Sequence, residues 1–275
     1  MKKVFKTILP LFLIVLLFGS GAGIWAWQSA DRAEMIEGKL QLHFIDVGQG
    51  DAALMILPTG ERIMIDTGTE ESGETILSHL AKWEVEALDL VILSHNHSDH
   101  AGGLAGLADV MPIGGVLYAG ETPEDIGIPM RRLAAGYRFS IGEVHFSILG
   151  PLSEKESENR SMILRMDYGV RSFLFMGDAE AEEEQALLEA VPNLLNADLL
   201  KVGHHGSASS STEAFLAAVD PEVAVISASA DNPFGHPSPY VLEDLRLLEC
   251  AVYRTDQMGT LIFMCDGTVL KRYIP

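Results

Sequence analysis

Three histidines and one aspartate lie within six consecutive positions, as His95, His97, Asp99 and His100. Imidazole and carboxylate groups are typical ligands of Zn²⁺, and also bind Mn²⁺ or Fe. In an extended segment, side chains two residues apart point the same way, so His95 and His97 can bind one cation together. Asp99 and His100 follow at a turn and can bind a second. The spacing therefore predicts a two-metal site.

This cluster ends an apolar run, LDLVILSH, which is predicted to be a buried strand because Leu, Val and Ile dominate it. Further strands are predicted for LQLHFIDV, AALMILPT, RIMIDTG, EVHFSILG, SMILRMDYGVRSFLFMGD, DLLKVGHH and VAVISAS. Helices are predicted at 75–83, 182–191, 211–219 and 238–248, with a short one at 130–133. Two sets of strands accompanied by helices predict an α/β fold, a single layered domain in which two sheets pack together with helices outside.

The composition limits the partners that the protein can bind. The chain has 275 residues, of which 48% are hydrophobic, enough for one sizeable domain. Its 19 Lys and Arg against 39 Asp and Glu give a net charge of −20. Such a surface repels polyanions, so tight nucleic-acid binding is not expected. A phosphate-containing substrate would need metal ions or a local group of basic residues.

The N-terminus has the pattern of a secretory leader. Lys2, Lys3 and Lys6 precede an uncharged segment that runs to residue 30. That segment is long enough to cross a bilayer, since about 20 residues suffice. We therefore expect a signal peptide or a single membrane anchor at 1–30, a linker at 31–39 and the folded domain at 40–275. The domain is expected to lie outside the cytoplasm, secreted or anchored.

The two cysteines, Cys250 and Cys265, flank a segment that is predicted to be a β-hairpin with its turn at 256–259. Counting back along both strands places the two residues opposite each other, within disulfide range. A cross-strand disulfide and two reduced, buried thiols are both compatible with the sequence.

The sequence resembles a known family at several of these positions. SHNHSDH, at 94–100, is similar to the signature of the metallo-β-lactamase fold hydrolases. Those proteins form an αββα four-layer sandwich with the metals at one end of the sheets. Further segments resemble the hydrolase domain of the competence protein ComEC, namely FIDVGQGD at 44–51, GDAE at 177–180, KVGHHGS at 201–207 and GHP at 235–237. The resemblance runs from about 40 to 269.

The resemblance implies a ligand set. Asp178 resembles the carboxylate that bridges both metals, and His236 resembles the last ligand. The first metal is then expected at His95, His97 and Asp178, and the second at Asp99, His100, Asp178 and His236. Asp66 is similar to the aspartate that orients the metal-binding histidines. Zn²⁺ is the expected metal and Mn²⁺ the alternative.

Other positions have roles that the resemblance leaves open. His204, His205 and Ser207 lie after a predicted strand, where one histidine can bind metal while the other contacts a phosphoryl oxygen or protonates the leaving group. Asp99 is expected to orient the attacking water as well as bind metal. Many family members have a histidine where this chain has Asn159, an oxygen donor that would weaken the first site and favour Mn²⁺.

These features predict an extracytoplasmic, metal-dependent hydrolase that acts on phosphodiesters, with nucleic acid as one such substrate. Local positive charge is expected from Lys201, Arg131, Arg132 and Arg160. An acyl hydrolase acting on β-lactam-like bonds, and an esterase acting on phosphorylcholine or a wall polymer, are the alternatives. A binding module with a decayed site ranks last, and the sequence does not indicate an oligomeric state.

Overall fold

A computed structural model describes residues 37–152 and 160–274. The predicted leader and Asn159 lie outside these residues. Within the two ranges, every helix is too short or too polar to span a lipid bilayer. Two β-sheets and several helices make up the described fold, and this confirms the predicted α/β class.

The first sheet has eight strands in the order β15-β14-β1-β2-β3-β4-β5-β6. They are β1 (Leu40–Phe44), β2 (Ala52–Ile56), β3 (Arg62–Thr67), β4 (Leu90–Leu93), β5 (Val116–Tyr118), β6 (Met130–Arg132), β14 (Leu261–Cys265) and β15 (Leu270–Tyr273). The second sheet has seven strands in the order β13-β12-β11-β10-β9-β8-β7. They are β7 (Arg138–Ile141), β8 (Val144–Gly150), β9 (Ile163–Tyr168), β10 (Arg171–Phe175), β11 (Leu199–Lys201), β12 (Val223–Ile226) and β13 (Ala251–Arg254).

Helices connect the strands. They are α1 (Gly73–Lys82), α2 (Ser98–Ala101), α3 (Leu104–Val110), α4 (Ala181–Ala190), α5 (Glu213–Val219), α6 (Pro239–Leu247) and α7 (Thr255–Met258). Local sequence explains where two of them begin. At the start of α5, the Thr212 hydroxyl accepts a hydrogen bond from the Phe215 N–H. At the start of α6, the Ser238 hydroxyl accepts one from the Tyr240 N–H, and Pro239 is the first residue of the helix.

The apolar core lies in layers because alternate residues of a strand point to opposite faces. Side chains from both sheets, such as Phe44, Ile65, Phe146 and Phe175, form one buried cluster between the sheets. The opposite face of the second sheet packs against apolar residues of α4, α5 and α6, including Leu187, Phe215 and Leu245. This arrangement is the predicted one, with paired sheets and outer helices.

Parallel strands in each sheet bring their carboxyl ends to a shared edge. β3, β4, β5 and β6 are consecutive parallel neighbours in the first sheet. β10, β11, β12 and β13 are parallel neighbours in the second. Ligand sites of open α/β sheets commonly lie at such edges, where the chain leaves each strand and side chains are free to converge.

Two local predictions were wrong. Residues 130–132 form strand β6 beside β5 and not a helix. The predicted hairpin at the C-terminus is absent, because β13 pairs with β12 while β14 pairs with β1 and β15 in the other sheet. Helix α7 takes the place of the turn between them. Cys250 and Cys265 are therefore not cross-strand neighbours, and both are buried free thiols.

Candidate metal centre

The carboxyl edges of the two sheets bring two groups of potential metal ligands together. One group contains His95, His97 and Asp178, and the other contains Asp99, His100, Asp178 and His205. Within each group, one nitrogen or oxygen atom per residue lies within 4.8 Å of the others. Asp178 belongs to both groups. The geometry thus provides a possible binuclear site with a carboxylate between its halves.

The histidines from the first sheet are held by Asp66 at the end of β3. One carboxylate oxygen of Asp66 accepts the Ser94 N–H at 2.7 Å, and the other accepts the Ser94 hydroxyl at 2.7 Å. The same second oxygen lies 2.9 Å from Nδ1 of His100. Because a carboxylate accepts, Nδ1 carries a proton in this contact, which leaves Nε2 as the ring nitrogen available to a metal. The contact holds the His100 ring in that orientation.

Ser161 links His95 to Asp178. Its hydroxyl lies 3.3 Å from Nδ1 of His95 and accepts the Asp178 N–H at 2.9 Å. Asp178 follows β10 at Gly177, whose φ is +52°. A Cβ at position 177 would lie 2.8 Å from the side chains of Ser161 and Ser94. Glycine is therefore required there for the aspartate loop to approach the histidine loop closely.

His204 and His205 occupy a tight turn after β11. Both are in left-handed backbone conformations, with φ of 47° and 54°, which non-glycine residues rarely adopt. Nδ1 of His205 donates to the Ser227 carbonyl at 3.0 Å, and Nε2 lies 3.2 Å from Oδ2 of Asp99. His204 is more exposed, with Nε2 3.8 Å from Asp178 and Nδ1 3.4 Å from Glu180. Nε2 of His205 also lies 3.8 Å from Asp178, so the turn directs both imidazoles at that carboxylate.

Several buried polar atoms in this centre have no hydrogen-bond partner among the described residues. They are Nε2 of His95, Nε2 of His100 and Oδ1 of Asp178. The last two lie only 3.1 Å apart, but without hydrogen-bonding geometry. Unpaired buried polar atoms are costly, by about 1–3 kcal/mol each, unless something else satisfies them. Imidazole nitrogens and carboxylate oxygens left in this state fit divalent metal ions.

The electrostatics lead to the same interpretation. Burial opposes the charge on His100, but the Asp178 and Asp66 carboxylates outweigh it and raise the pKa of His100 well above its ordinary value. Burial likewise opposes the charge on Asp178, yet His100 and its neighbours hold the pKa of that carboxyl well below its usual range. Burial and the adjacent His100 lower the pKa of His95 to about 3. These opposed shifts arise because carboxylates and imidazoles are crowded together in a buried centre, where a bound cation would contribute positive charge.

Two predicted site residues, His236 and Ser207, lie outside the two ligand groups. The second group contains His205, one of the two histidines for which metal binding had been left open, and does not contain His236. His236 stacks beside the centre, with its ring centroid 5.5 Å from that of His204 and 6.4 Å from that of His205. Ser207 bonds to the Ser209 hydroxyl at 2.9 Å and, through its N–H, to the His204 carbonyl. It therefore shapes the turn rather than pointing at the carboxylates.

Lys201 and Asp51 form a buried ion pair below the metal ligands. Nζ of Lys201 donates to Oδ2 of Asp51 at 2.7 Å, and both side chains are less than a tenth exposed. Lys201 therefore neutralises Asp51. The prediction that Lys201 supplies positive charge to a substrate was wrong. Sequence reasoning missed Asp51, whose Oδ1 has no hydrogen-bond partner within the described part of the chain and lies 3.7 Å from Nδ1 of His205. Its place after Gly48 and Gly50 was the available signal.

Glu184 is a second residue that the sequence did not single out. Its buried carboxylate accepts the backbone N–H groups of Ser211 and Thr212 at the start of α5. An anion at a helix N-terminus satisfies N–H groups that have no partner within the helix. Glu184 thereby anchors the far end of the segment that begins with His204 and His205. An acidic first turn of α4 was the only sequence signal.

Comparison with known proteins agrees with this geometry. The model of the family described as "Metallo-beta-lactamase superfamily" matches residues 45–230. The chain is 32% identical over 264 residues to ComE operon protein 3 of Bacillus subtilis, covering 85% of this chain and 34% of that protein. It is 32% identical over 261 residues to competence protein ComA of Neisseria gonorrhoeae, covering 91% of this chain and 37% of that one.

The fold is also similar to that of a solved structure. The metallo-beta-lactamase fold protein YhfI of Bacillus subtilis matches with a TM-score of 0.58 at 12% identity, covering 82% of this chain and 99% of that one. The chain spans about a third of the length of the two competence-protein relatives. The predicted resemblance to the ComEC-like branch is confirmed.

Proposed function

Because this chain belongs to the metallo-beta-lactamase superfamily, whose members are metal-dependent hydrolases, we propose that it hydrolyses phosphodiesters with the help of two divalent cations. The observation that carries the proposal is the convergence of both ligand groups on Asp178. A carboxylate shared by two clusters suits a two-metal site, where both cations act on one substrate group. Zn²⁺ is the metal that imidazole-rich ligand sets favour, and Mn²⁺ is the alternative.

The proposed metal ligands are His95, His97 and Asp178 for one ion, and Asp99, His100, Asp178 and His205 for the other. Cations bound there would supply Lewis-acid polarisation of a phosphoryl oxygen and of water. Asp66 keeps the lone pair of His100 directed at the site through its contact with Nδ1. Asp99, whose side chain is 29% exposed, faces the solvent side and can accept a proton from the attacking water.

His204 is the proposed general acid. Its Nε2 lies 3.8 Å from Asp178, and its side chain is 22% exposed, so a leaving group could reach it from solvent. Oε1 of Glu180 lies 3.4 Å from Nδ1 of His204, on the side of the ring away from Nε2, and can hold the imidazole in the orientation that donation from Nε2 requires. The neighbouring His205 is buried and its Nδ1 is bonded to Ser227, so it suits metal binding. The two histidines of the turn thus receive different proposed roles.

An exposed aromatic ring beside the centre supports an organic phosphodiester as the substrate. Phe234 is 67% exposed. It stacks on His236 at 5.7 Å between centroids, and His236 in turn faces His204 and His205. An exposed phenyl ring offers a stacking surface for a planar substituent such as a nucleobase.

We also propose that the protein acts outside the cytoplasm, either secreted or bound to the membrane through the segment at 1–30. The uncharged run after Lys6 supports this, and so does the similarity to competence proteins. Tight nucleic-acid binding is not proposed, since the net charge is −20.

The test is turnover of bis-p-nitrophenyl phosphate by the purified protein loaded with Zn²⁺ or Mn²⁺. We expect Asp178→Asn to lower kcat by more than about 100-fold, since it removes the carboxylate common to both groups and outer-sphere changes alone cost about 10- to 100-fold. Asp109→Asn, on the exposed side of α3, is the matched control and should keep wild-type activity. Nitrocefin turnover without phosphodiester turnover would favour the acyl hydrolase instead. Equal rates for wild type and Asp178→Asn would refute the proposal.

A further inference from the structure

A second concave site lies at the same edge of the first sheet as the metal ligands. It is a cavity of about 300 Å³ lined by Gly120, Arg132, Leu133, Ala134, Ala135, Pro151 and Arg160. Arg132 is the last residue of β6, and Gly120 follows the end of β5. Because β3 to β6 are parallel, these residues leave the sheet on the side where His95 leaves β4.

The cavity lies close to the metal centre. β5 and β6 are one and two strands away from β4, which corresponds to about 5–10 Å. The chain provides a second link, since Arg160 directly precedes Ser161, whose hydroxyl contacts His95 and the Asp178 backbone. Consecutive Cα atoms are about 3.8 Å apart, so Arg160, which lines the cavity, lies directly beside a residue that contacts two of the proposed metal ligands.

The two arginines of this cavity differ from four other arginines of the chain, which are paired with acidic side chains. Arg165, Arg171, Arg246 and Arg254 each form an ion pair with a carboxylate. Neither Arg132 nor Arg160 has a carboxylate within 4.0 Å among residues 37–152 and 160–274, although the chain carries a net charge of −20. Both are exposed. Two guanidinium groups on one concave surface, without acidic partners there, form a site for an anion.

The backbone keeps this cavity open. Gly120 has a φ of +73°, and a Cβ at that position would lie 3.4 Å from the Arg160 carbonyl oxygen. Small residues, Ala134 and Ala135, form another part of the wall. Arg131, the neighbour of Arg132, points elsewhere, with its guanidinium 4.7 Å from the centre of the Tyr137 ring. Charge and space therefore coincide at Arg132 and Arg160.

We propose that this cavity binds the phosphate group next to the scissile one in a phosphodiester chain. The inference rests on the proposed phosphodiesterase function and adds the substrate class, a chain with at least two successive phosphates. Guanidinium groups bind phosphate oxygens in bidentate geometry, and this suits Arg132 and Arg160 better than a single point charge would. A local pair of arginines also allows a strongly acidic protein to hold such a chain weakly and only at its active edge.

The test uses chromogenic substrates in which nitrophenol release reports the scissile phosphate. Thymidine dinucleotides carry a p-nitrophenyl phosphate at either the 5′ or the 3′ end, and the inner linkage is a phosphodiester or a neutral methylphosphonate. For one polarity we expect kcat/KM of the wild type to be about tenfold higher with the charged linkage, as for a hydrogen bond to a charged group. The double variant Arg132→Gln, Arg160→Gln should lose this preference and keep its rate on bis-p-nitrophenyl phosphate.

Arg131→Gln is the matched control, because it removes an arginine from the same strand that does not line the cavity. It should keep the tenfold preference. No preference in the wild type, or a preference that survives in the double variant, would overturn the proposed subsite. The same pair of substrates built on glycerol identifies the source of the phosphate. Discrimination in the thymidine series alone assigns nucleic acid, and discrimination in both assigns any phosphodiester chain.

A binding measurement separates this proposal from the proposed function. Fluorescein-labelled trithymidylate is titrated with wild type, with the double variant and with Arg131→Gln, and anisotropy gives Kd. About tenfold weaker binding by the double variant alone supports the subsite, whether or not the wild type cleaves a diester. If the wild type cleaves none, only the proposed hydrolytic function is refuted. Equal Kd values for all three proteins overturn the subsite whether or not the wild type is active.

Discussion

Replacing Asp66 by asparagine is expected to weaken metal binding by about 10- to 150-fold without unfolding the protein. The carboxylate contacts no proposed cation and acts only through Ser94 and His100. Asparagine has nearly the same shape and tolerates the left-handed backbone at this position, where φ is 55°. The substitution therefore changes one oxygen into an NH₂ group and leaves the volume of the side chain in place.

The magnitude follows from the contacts. In the variant, the amide oxygen can keep the hydrogen bond from the Ser94 N–H, and the NH₂ group then replaces the second carboxylate oxygen. That group faces the Ser94 hydroxyl, which can rotate, and Nδ1 of His100, which lies 2.9 Å from the oxygen that has been replaced. His100 then takes the tautomer with its proton on Nε2, the atom 3.1 Å from Asp178. Metal binding requires the opposite tautomer and so costs the charge-assisted bond, about 1.5–3 kcal/mol. That range corresponds to about 10- to 150-fold in affinity.

Competition with a chromophoric chelator measures Zn²⁺ and Mn²⁺ affinity at pH 7.5. The matched control is Asp220→Asn, at an exposed residue with a similar left-handed backbone, φ 47°, at the end of α5. It should bind metal as the wild type does. Urea unfolding of each apoprotein shows whether the fold survives.

Two outcomes would refute this reasoning. An affinity of Asp66→Asn within twofold of the wild type would mean that the contact to His100 does not set the tautomer. An equal loss of affinity in Asp220→Asn would mean that the substitution acts through the backbone. A loss confined to Asp66→Asn, with little change in the urea midpoint, supports the proposed role.

Three further predictions concern stability and substrate contact. Glu184→Gln should lower the free energy of unfolding by about 2–4 kcal/mol, measured by urea unfolding at pH 7, because one backbone N–H at the start of α5 loses its anionic acceptor. An unchanged urea midpoint would contradict this. Burial and the nearby Lys82 lower the pKa of His79 to about 4. As the pH falls below about 6.5, His79 therefore takes up a proton in the unfolded chain before it does so in the folded protein. The folded protein loses stability between about pH 6.5 and pH 4 for this reason. The urea midpoint of His79→Gln should therefore fall less than that of the wild type between pH 7.5 and 5. Phe234→Ala should raise KM for thymidine 5′-phosphate p-nitrophenyl ester by at least about fivefold at constant kcat, and an unchanged KM would exclude stacking.

The sequence was sufficient where the information is local. His95 and His97 are two residues apart after an apolar strand, so their convergence follows from strand geometry alone. Alternating apolar residues and glycine-containing turns likewise predicted most strands and the helices α1, α4, α5 and α6 within a few residues, although α3, as long as α5, was not predicted. The prediction of a helix at 130–133 was wrong because the apolar and basic pattern of this short segment suits a helix and a strand equally. Pairing with β5 decides its conformation.

The C-terminal strands show the limit of such reasoning. Residues 251–254 and 261–265 have the composition of a hairpin, and the loop between them is short. In the structure each strand pairs in a different sheet, β13 beside β12 and β14 beside β1. A hairpin between β13 and β14 would use the same backbone N–H and C=O groups that pair with β12 and β1 in the structure. Which pairing forms therefore depends on the strands that the rest of each sheet offers.

The types and spacing of residues 95–100 by themselves determined that this protein presents potential metal ligands at a strand end, since six neighbouring residues have few relative positions to adopt. The assignment of the remaining partners came from the packing of the two sheets. That packing placed His205 in the ligand group and His236 beside it, buried Lys201 against Asp51, and brought Arg132 and Arg160 to one cavity. Residues far apart in the chain have no fixed distance until the core between the sheets closes, and an error of a few ångströms is enough to separate a ligand from a neighbour.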